Sequence, residues 1–321
     1  MNIQRWIARR EPNWQRLDSL LRRIEKKGLQ SLEAQEIGEL ASLYRCVVAD
    51  LTRARTQNLG KALVKKLYTL KTRAYKQIDK GSRRQKCLGV VQFYRWGLPA
   101  IVQQTFPYIA LATGLFVLGI LIAWLYIWQD PTFISQVVPS RIISKVREDG
   151  ELWTSSIVGV EQKVCSGITI HNLKVSLGAV AGGITAGAFT IYIMVFNGLL
   201  IGAVAALVGQ HDLAYPFWAF VFPHGSLELP AILLAGGAGL LISKSLFFPV
   251  KYRRLDAIKL HGSQAIQLVF GIVPMLIIAG IIEGFFSSNP TIPNPIKYLT
   301  GLCLSAILIV YFRRKSVSSE Q

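Results

Sequence analysis

Apolar residues follow two different rules along this chain. Up to about residue 97 they recur at helical spacing and leave the intervening positions polar. Trp14, Leu17, Leu20, Leu21 and Ile24 form one stripe, Ile37, Leu40, Tyr44, Val47, Val48 and Leu51 a second, and Leu59, Leu63, Leu67, Leu70, Ala74 and Ile78 a third. A helix with one apolar stripe must bury that stripe against a neighbour, so the spacing predicts a small antiparallel helical bundle. Its punctuation is legible too. Ile3, Trp6 and Ile7 suit a short surface helix, Pro12 opens the next, Gly28 stops it, Ser31 is placed to cap its successor, and Gly81 ends the last. From Phe106 onward the apolar residues become continuous, in runs near the twenty needed to cross about 30 Å of hydrocarbon. The run Leu173–Val208 is too long for one crossing at about 1.5 Å per residue, and Phe196-Asn197-Gly198 is the expected turn within it. The predicted spans are 106–128, 173–195, 199–222, 226–248, 264–286 and 297–312.

Composition agrees with the second rule. Of 321 residues, 51% are hydrophobic and 17% charged, and the mean hydropathy is +0.38. The fold class is therefore all-α, a polytopic helical membrane protein with about six transmembrane helices and an N-terminal cytoplasmic helical bundle. Charge orients it. Residues 1–97 carry 22 Lys/Arg against 8 Asp/Glu, a net +14 out of +18 for the whole chain. Positive segments stay in the cytoplasm, and residues 1–97, Lys251–Lys259 and Arg313–Lys315 share that side with six spans but not with five. Three regions result: a basic helical domain over 1–97, a transmembrane domain over 98–313 and a polar tail over 314–321. Residues 129–171 form the external loop, with a short surface helix around Ile142, Ile143 and Val146. The segment Arg83–Arg95, with Phe93, Tyr94 and Trp96, reads as an interfacial lead-in. The expected location is the plasma (inner) membrane, with both termini cytoplasmic and no cleaved signal peptide. Cys46, Cys87, Cys165 and Cys303 form no CxxC pair, so neither a disulfide framework nor a zinc site is expected.

Small residues mark the helix-packing positions: Gly178, Gly182, Gly183 and Gly187, then Gly236 and Gly237. They let backbones approach where lipid supplies no hydrophobic push. Gln210 and Asp212 fall near the middle of span 199–222, where an Asp costs about 2.5–3.5 kcal/mol on insertion scales, so this span is expected to be interrupted or partly re-entrant. Five polar residues share the outer leaflet under this topology: His171, Asn172, His224, Glu228 and Glu283. His224 and Glu228, four apart, lie on one helical face, and Ser226 is placed to cap that helix and put Glu228 in its first turn. These five are the candidate ligand or partner site. HExxH, GxSxG and GxxxxGK[ST] patterns are absent, no catalytic residue, cofactor or metal is expected, and the chain reads as non-enzymatic.

The words Pro223-His224-Gly225 and Glu228-Leu229-Pro230-Ala231, followed by Gly236-Gly237-Ala238-Gly239, resemble the stage II sporulation protein M family of integral membrane proteins. Leu43-Tyr44-Arg45, Asp50-Leu51 and Ala54-Arg55 look like the N-terminal pattern of the same family, with Arg45, Asp50 and Arg55 in structural roles. The resemblance implies a subunit of a membrane complex that drives peptidoglycan remodelling during engulfment. The expected partners are membrane lipid and other membrane or cell-wall proteins, with a homo-oligomer allowed and no nucleic acid. The alternative is the membrane subunit of a transporter or permease that works with a separate ATPase.

Overall fold

The computed structural model describes residues 3–154, 160–247 and 253–314. The tail beyond 314 and the start of the basic segment at Lys251 lie outside them. Every regular element among the described residues is helical. The chain divides into two compact units, Met1–Gln92 and Phe93–Gln321.

The first unit is a three-helix bundle of α1 (Ile3–Lys27), α2 (Ala34–Thr56) and α3 (Lys61–Gln92). Most of the predicted stripes form its core, with Trp14, Leu17, Leu20, Leu21, Ile24, Leu40, Val47, Leu51, Leu67, Leu70 and Ala74 buried, whereas Ile37 is exposed and Tyr44, Val48, Leu59, Leu63 and Ile78 are half-buried. Three predicted breaks are absent or moved. α1 runs through Pro12, with Trp6 and Trp14, two turns apart on either side of the proline, edge to face at 5.9 Å. α2 is capped by Glu33 rather than Ser31: the Glu36 carboxylate accepts the Glu33 N–H at 3.0 Å, in the manner of a capping box. α3 continues through Gly81 to Gln92. Asp50 is buried, accepts the Trp14 indole N–H at 2.9 Å and faces Arg10 at 3.4 Å. Arg55 lies over the Tyr68 ring, and Arg45 is exposed.

The second unit opens with a π turn (Phe93–Gly97) and α4 (Leu98–Gln104). α5 (Phe106–Gln129) follows, then two short helices, α6 (Ile134–Val137) and α7 (Ser140–Arg147). The remainder is α8 (Glu161–Ala181), α9 (Ala188–Gly209), α10 (Ala214–Phe247), α11 (Arg254–Ile282) and α12 (Asn294–Phe312). α5, α9, α10, α12 and α11 together with the turn after it are long and apolar enough to cross a membrane. α8 has 21 residues and is more polar. The chain is thus an all-α, polytopic helical membrane protein.

The helix boundaries correct the expected spans. The turn predicted at Phe196-Asn197-Gly198 does not form, and α9 passes through it. The Asn197 side chain instead donates to Ile193 C=O at 2.8 Å within the helix. Gly198 serves a crossing: a Cβ there would stand 2.1 Å from Phe116 C=O of α5, and one at Gly202 would stand 2.3 Å from Ile120 C=O. The real turn is earlier, where Ala186 and Gly187 adopt left-handed backbone at φ 54° and 83°. Gly187 is therefore a turn residue. Gly178 makes only ordinary contact, whereas Gly182, Gly183, Gly236 and Gly237 all stand where a Cβ would clash. Gln210 and Asp212 sit in the tight turn between α9 and α10, with Asp212 exposed at φ 56°. The predicted segment 199–222 is thus broken at Asp212, as expected, but by the turn between two helices rather than within one span, and no carboxylate is left in mid-helix there. α11 starts ten residues before the predicted 264.

Candidate functional site

α10 is where the expectation of a span starting at 226 fails most usefully. Pro223 and Pro230 both lie inside it. A proline donates no N–H, so Ala219 and Ser226 lose their usual helical partners. The helix nevertheless runs unbroken from Ala214 to Phe247, buried among its neighbours over much of its length. Ser226 does not cap: its hydroxyl donates back to Pro223 C=O at 2.8 Å. His224 and Glu228 consequently stand in the interior of a 34-residue helix, about 15 and 21 Å from its start at 1.5 Å per residue, rather than at its mouth.

Glu283 comes from the end of α11, where the backbone loosens into a π turn (Glu283–Ser287). Ser288 N–H reaches back five residues to Glu283 C=O at 3.3 Å, the spacing that defines such a turn. The wider turn carries Glu283 and Ser287 to the same side. Glu283 and His224 are buried, and the imidazole Nε2 lies 4.0 Å from Glu283 Oε2, beyond hydrogen-bond reach. The other ring nitrogen, Nδ1, lies 3.1 Å from the Ser287 hydroxyl. The Phe220 ring stands edge-on to the imidazole, with centroids 5.2 Å apart. The Asn172 side chain of α8 lies beside the Glu228 carboxylate. From α12, the buried Lys297 ammonium donates to Ser287 C=O at 2.6 Å and fixes the far end of the π turn.

His224, Glu228 and Glu283 each present one donor atom within 4.8 Å of the others. One carboxylate oxygen of Glu228 and one of Glu283 are buried without a hydrogen-bond partner. If both carboxylates are ionised, their mutual repulsion at this range is about 3 kcal/mol at an effective dielectric of about 20. Two buried acceptors facing one imidazole are chemically an electron-pair cage, suited to a proton or a cation.

Of the five residues predicted to share a site, the structure brings together His224, Glu228, Glu283 and Asn172. It leaves His171 outside, exposed on α8. Ser287, Lys297 and Phe220 belong to the site and carry no signal that sequence reasoning used. Ser287 falls one residue beyond the predicted span 264–286, and Lys297 is the first residue of the predicted span 297–312. Ser176, one turn along α8 from Asn172, is buried with its hydroxyl unpaired.

Comparison with known proteins places this geometry in a family. The family model described as stage II sporulation protein M matches residues 112–288, more than half of the chain, and encloses all the site residues on α8, α10 and α11. A second model, described as a domain of unknown function (DUF8413), matches residues 4–80. The Leu43-Tyr44-Arg45 and Asp50-Leu51 words thus fall under a different model from the membrane half. An uncharacterised protein of Methanocaldococcus jannaschii is 25% identical over 101 residues, which are 30% of this chain and 45% of that relative, so the match spans less than half of the relative's length. No solved structure matches. On the family match over its membrane half, the chain belongs to the stage II sporulation protein M family.

Proposed function

We propose that the protein is a non-enzymatic subunit of the plasma (inner) membrane that organises a membrane complex linked to cell-wall remodelling. The observation that carries the reading is the pairing of two separately cored units: a basic helical bundle, and a membrane unit whose match is to a family named for sporulation. Residues 1–92 then lie in the cytoplasm and offer one docking face, and residues 130–160 lie outside and offer another. Six crossings, α5 and α8 to α12, keep the basic N-terminal part, the segment around Arg253 and Arg254, and the end of α12 on one side. Partners are other membrane or cell-wall proteins, with a second copy of the chain allowed.

Pull-down from native membranes followed by mass spectrometry tests the reading. Co-enrichment of a cell-wall hydrolase or synthase supports it, and an ATPase as the main partner replaces it with a transport subunit. That second reading draws on the buried polar cluster of the membrane unit, and ion-dependent flux in proteoliposomes would establish it. The orientation has its own test on a cysteine-free background. Lys145→Cys should react with an impermeant external reagent and Leu255→Cys should not. The reverse pattern overturns the six-crossing arrangement.

A further inference from the structure

We infer that His224, Glu228 and Glu283 form a binding site for one divalent transition-metal cation, which ties α10 to the π turn after α11. Four observations converge on it. The three donor atoms lie within 4.8 Å of one another, and among the described residues this is the one group of three such side chains so arranged. The free oxygens of both carboxylates are buried and have no partner, and the Glu283 and His224 side chains are at least nine-tenths buried. Unsatisfied buried acceptors of this kind are rare and call for an explanation such as an ion.

The third observation is the histidine. A metal-bound imidazole uses one ring nitrogen for the metal and holds its other N–H on a fixed acceptor, which sets the tautomer. Here Nδ1 faces the Ser287 hydroxyl at 3.1 Å and Nε2 faces Glu283. A proton shared between the two carboxylates would give the imidazole no such task. The fourth is the neighbour of Glu228: the Asn172 amide of α8 lies beside its carboxylate, where a ligating carboxylate takes its supporting hydrogen bond.

One imidazole and two carboxylates are the donor set of zinc and manganese(II) rather than of thiolate-seeking metals. Two carboxylates and a dication also sum to zero charge, which suits a membrane interior. Ligand atoms around tetrahedral zinc stand roughly 3.3 Å apart, so binding draws the three groups inward by about 1 Å through carboxylate rotation. Three protein ligands leave a coordination position for water or for Asn172.

The full-length protein in nanodiscs, stripped with EDTA and titrated separately with Zn²⁺ and Mn²⁺, tests the site. Calorimetry and elemental analysis should give one ion per chain, and saturation at about 100 times Kd should raise Tm by about 5 °C. Glu283→Gln and Glu228→Gln should each weaken binding at least 100-fold, and Ser287→Ala about 10-fold through the second ring nitrogen. His171→Ala should bind as the parent does. Cobalt(II) should give visible d–d bands that His224→Asn removes. Substoichiometric binding of all three metals by folded parent protein overturns the inference, as does a monodisperse Glu283→Gln protein that binds as tightly as the parent.

Discussion

In the bundle of residues 3–92 the charged side chains, Asp50 excepted, lie outside an apolar core. In the membrane unit that order is reversed. Asp50 is the one buried polar residue of the bundle among the described residues, whereas Thr190, His224, Ser243, Ser245, Glu283, Ser287 and Lys297 are all buried in the membrane unit. The outward side chains differ correspondingly. Arg16, Arg23 and Arg73 pair with Glu39, Glu36 and Glu25 across the surface of the bundle. Leu121, Leu125, Phe270, Ile307 and Val310 cover the membrane unit. The same α-helix is glued by different forces because its surroundings differ. Water drives Leu and Trp inward, while lipid does not, and helices there rely on backbone contact and internal hydrogen bonds.

This contrast is open to attack by mutation. The largest effect should come from Gly198→Leu or Gly183→Leu, since a Cβ alone would stand 2.1 Å from Phe116 C=O or 2.3 Å from Gly239 C=O. We expect loss of monodisperse protein in detergent, a cost above about 3 kcal/mol, with Leu177→Ala harmless. Equal heat resistance of all three would mean that the crossings do not hold the membrane unit together.

The next test sets one substitution in both units. Leu67→Ala in the bundle core should cost about 2–5 kcal/mol, while Leu121→Ala on the outward face of α5 should stay within about 0.5 kcal/mol. Hydrogen exchange on the full-length protein would read each locally. Asp50→Ala should fall between them, at about 1–3 kcal/mol, because it strands the Trp14 indole N–H.

The smallest effect is electrostatic and belongs to the bundle alone. Hydrogen bonds from Arg73, Arg23 and Arg16 hold Glu25, Glu36 and Glu39 below the ordinary glutamate value. Groups with lowered folded values add stability that is fully present above the unfolded value of about 4.3 and is lost as pH falls through the folded ones. Protection from exchange in residues 3–92, corrected for the intrinsic rate at each pH, should therefore fall below about pH 4, modestly and less so in high salt, and Arg73→Gln should flatten part of that response. An acid response of equal size in the membrane unit would erase the contrast.

Class, helical content and the bundle core were legible because they depend on periodicity, which a single chain displays. The pairing of His224 with Glu228 was legible for the same reason. Helix ends were not. Asn197-Gly198 carries the letters of a turn, but Gly has two uses, φ freedom and close approach, and only the neighbouring α5 decides between them. Pro223 and Pro230 carry the letters of a break, yet protein-filled surroundings keep α10 whole. Ser287 and Lys297 were illegible as site residues because their contribution comes through a π turn and a neighbouring helix, neither of which leaves a periodic trace.

Lys297 stands near the start of α12, the wrong end of its own helix for a cation, yet its ammonium meets the last carbonyls of the α11 segment. The end of a helix carries roughly half a negative charge, so the lysine cancels a neighbour's dipole at the point where two carboxylates crowd together. The electric potential at the cluster is therefore set partly by a residue that touches none of its three donor atoms. Lys297→Met would remove that charge together with the tie on Ser287 C=O, so the cluster's voltage and the hold on its π turn would change at once.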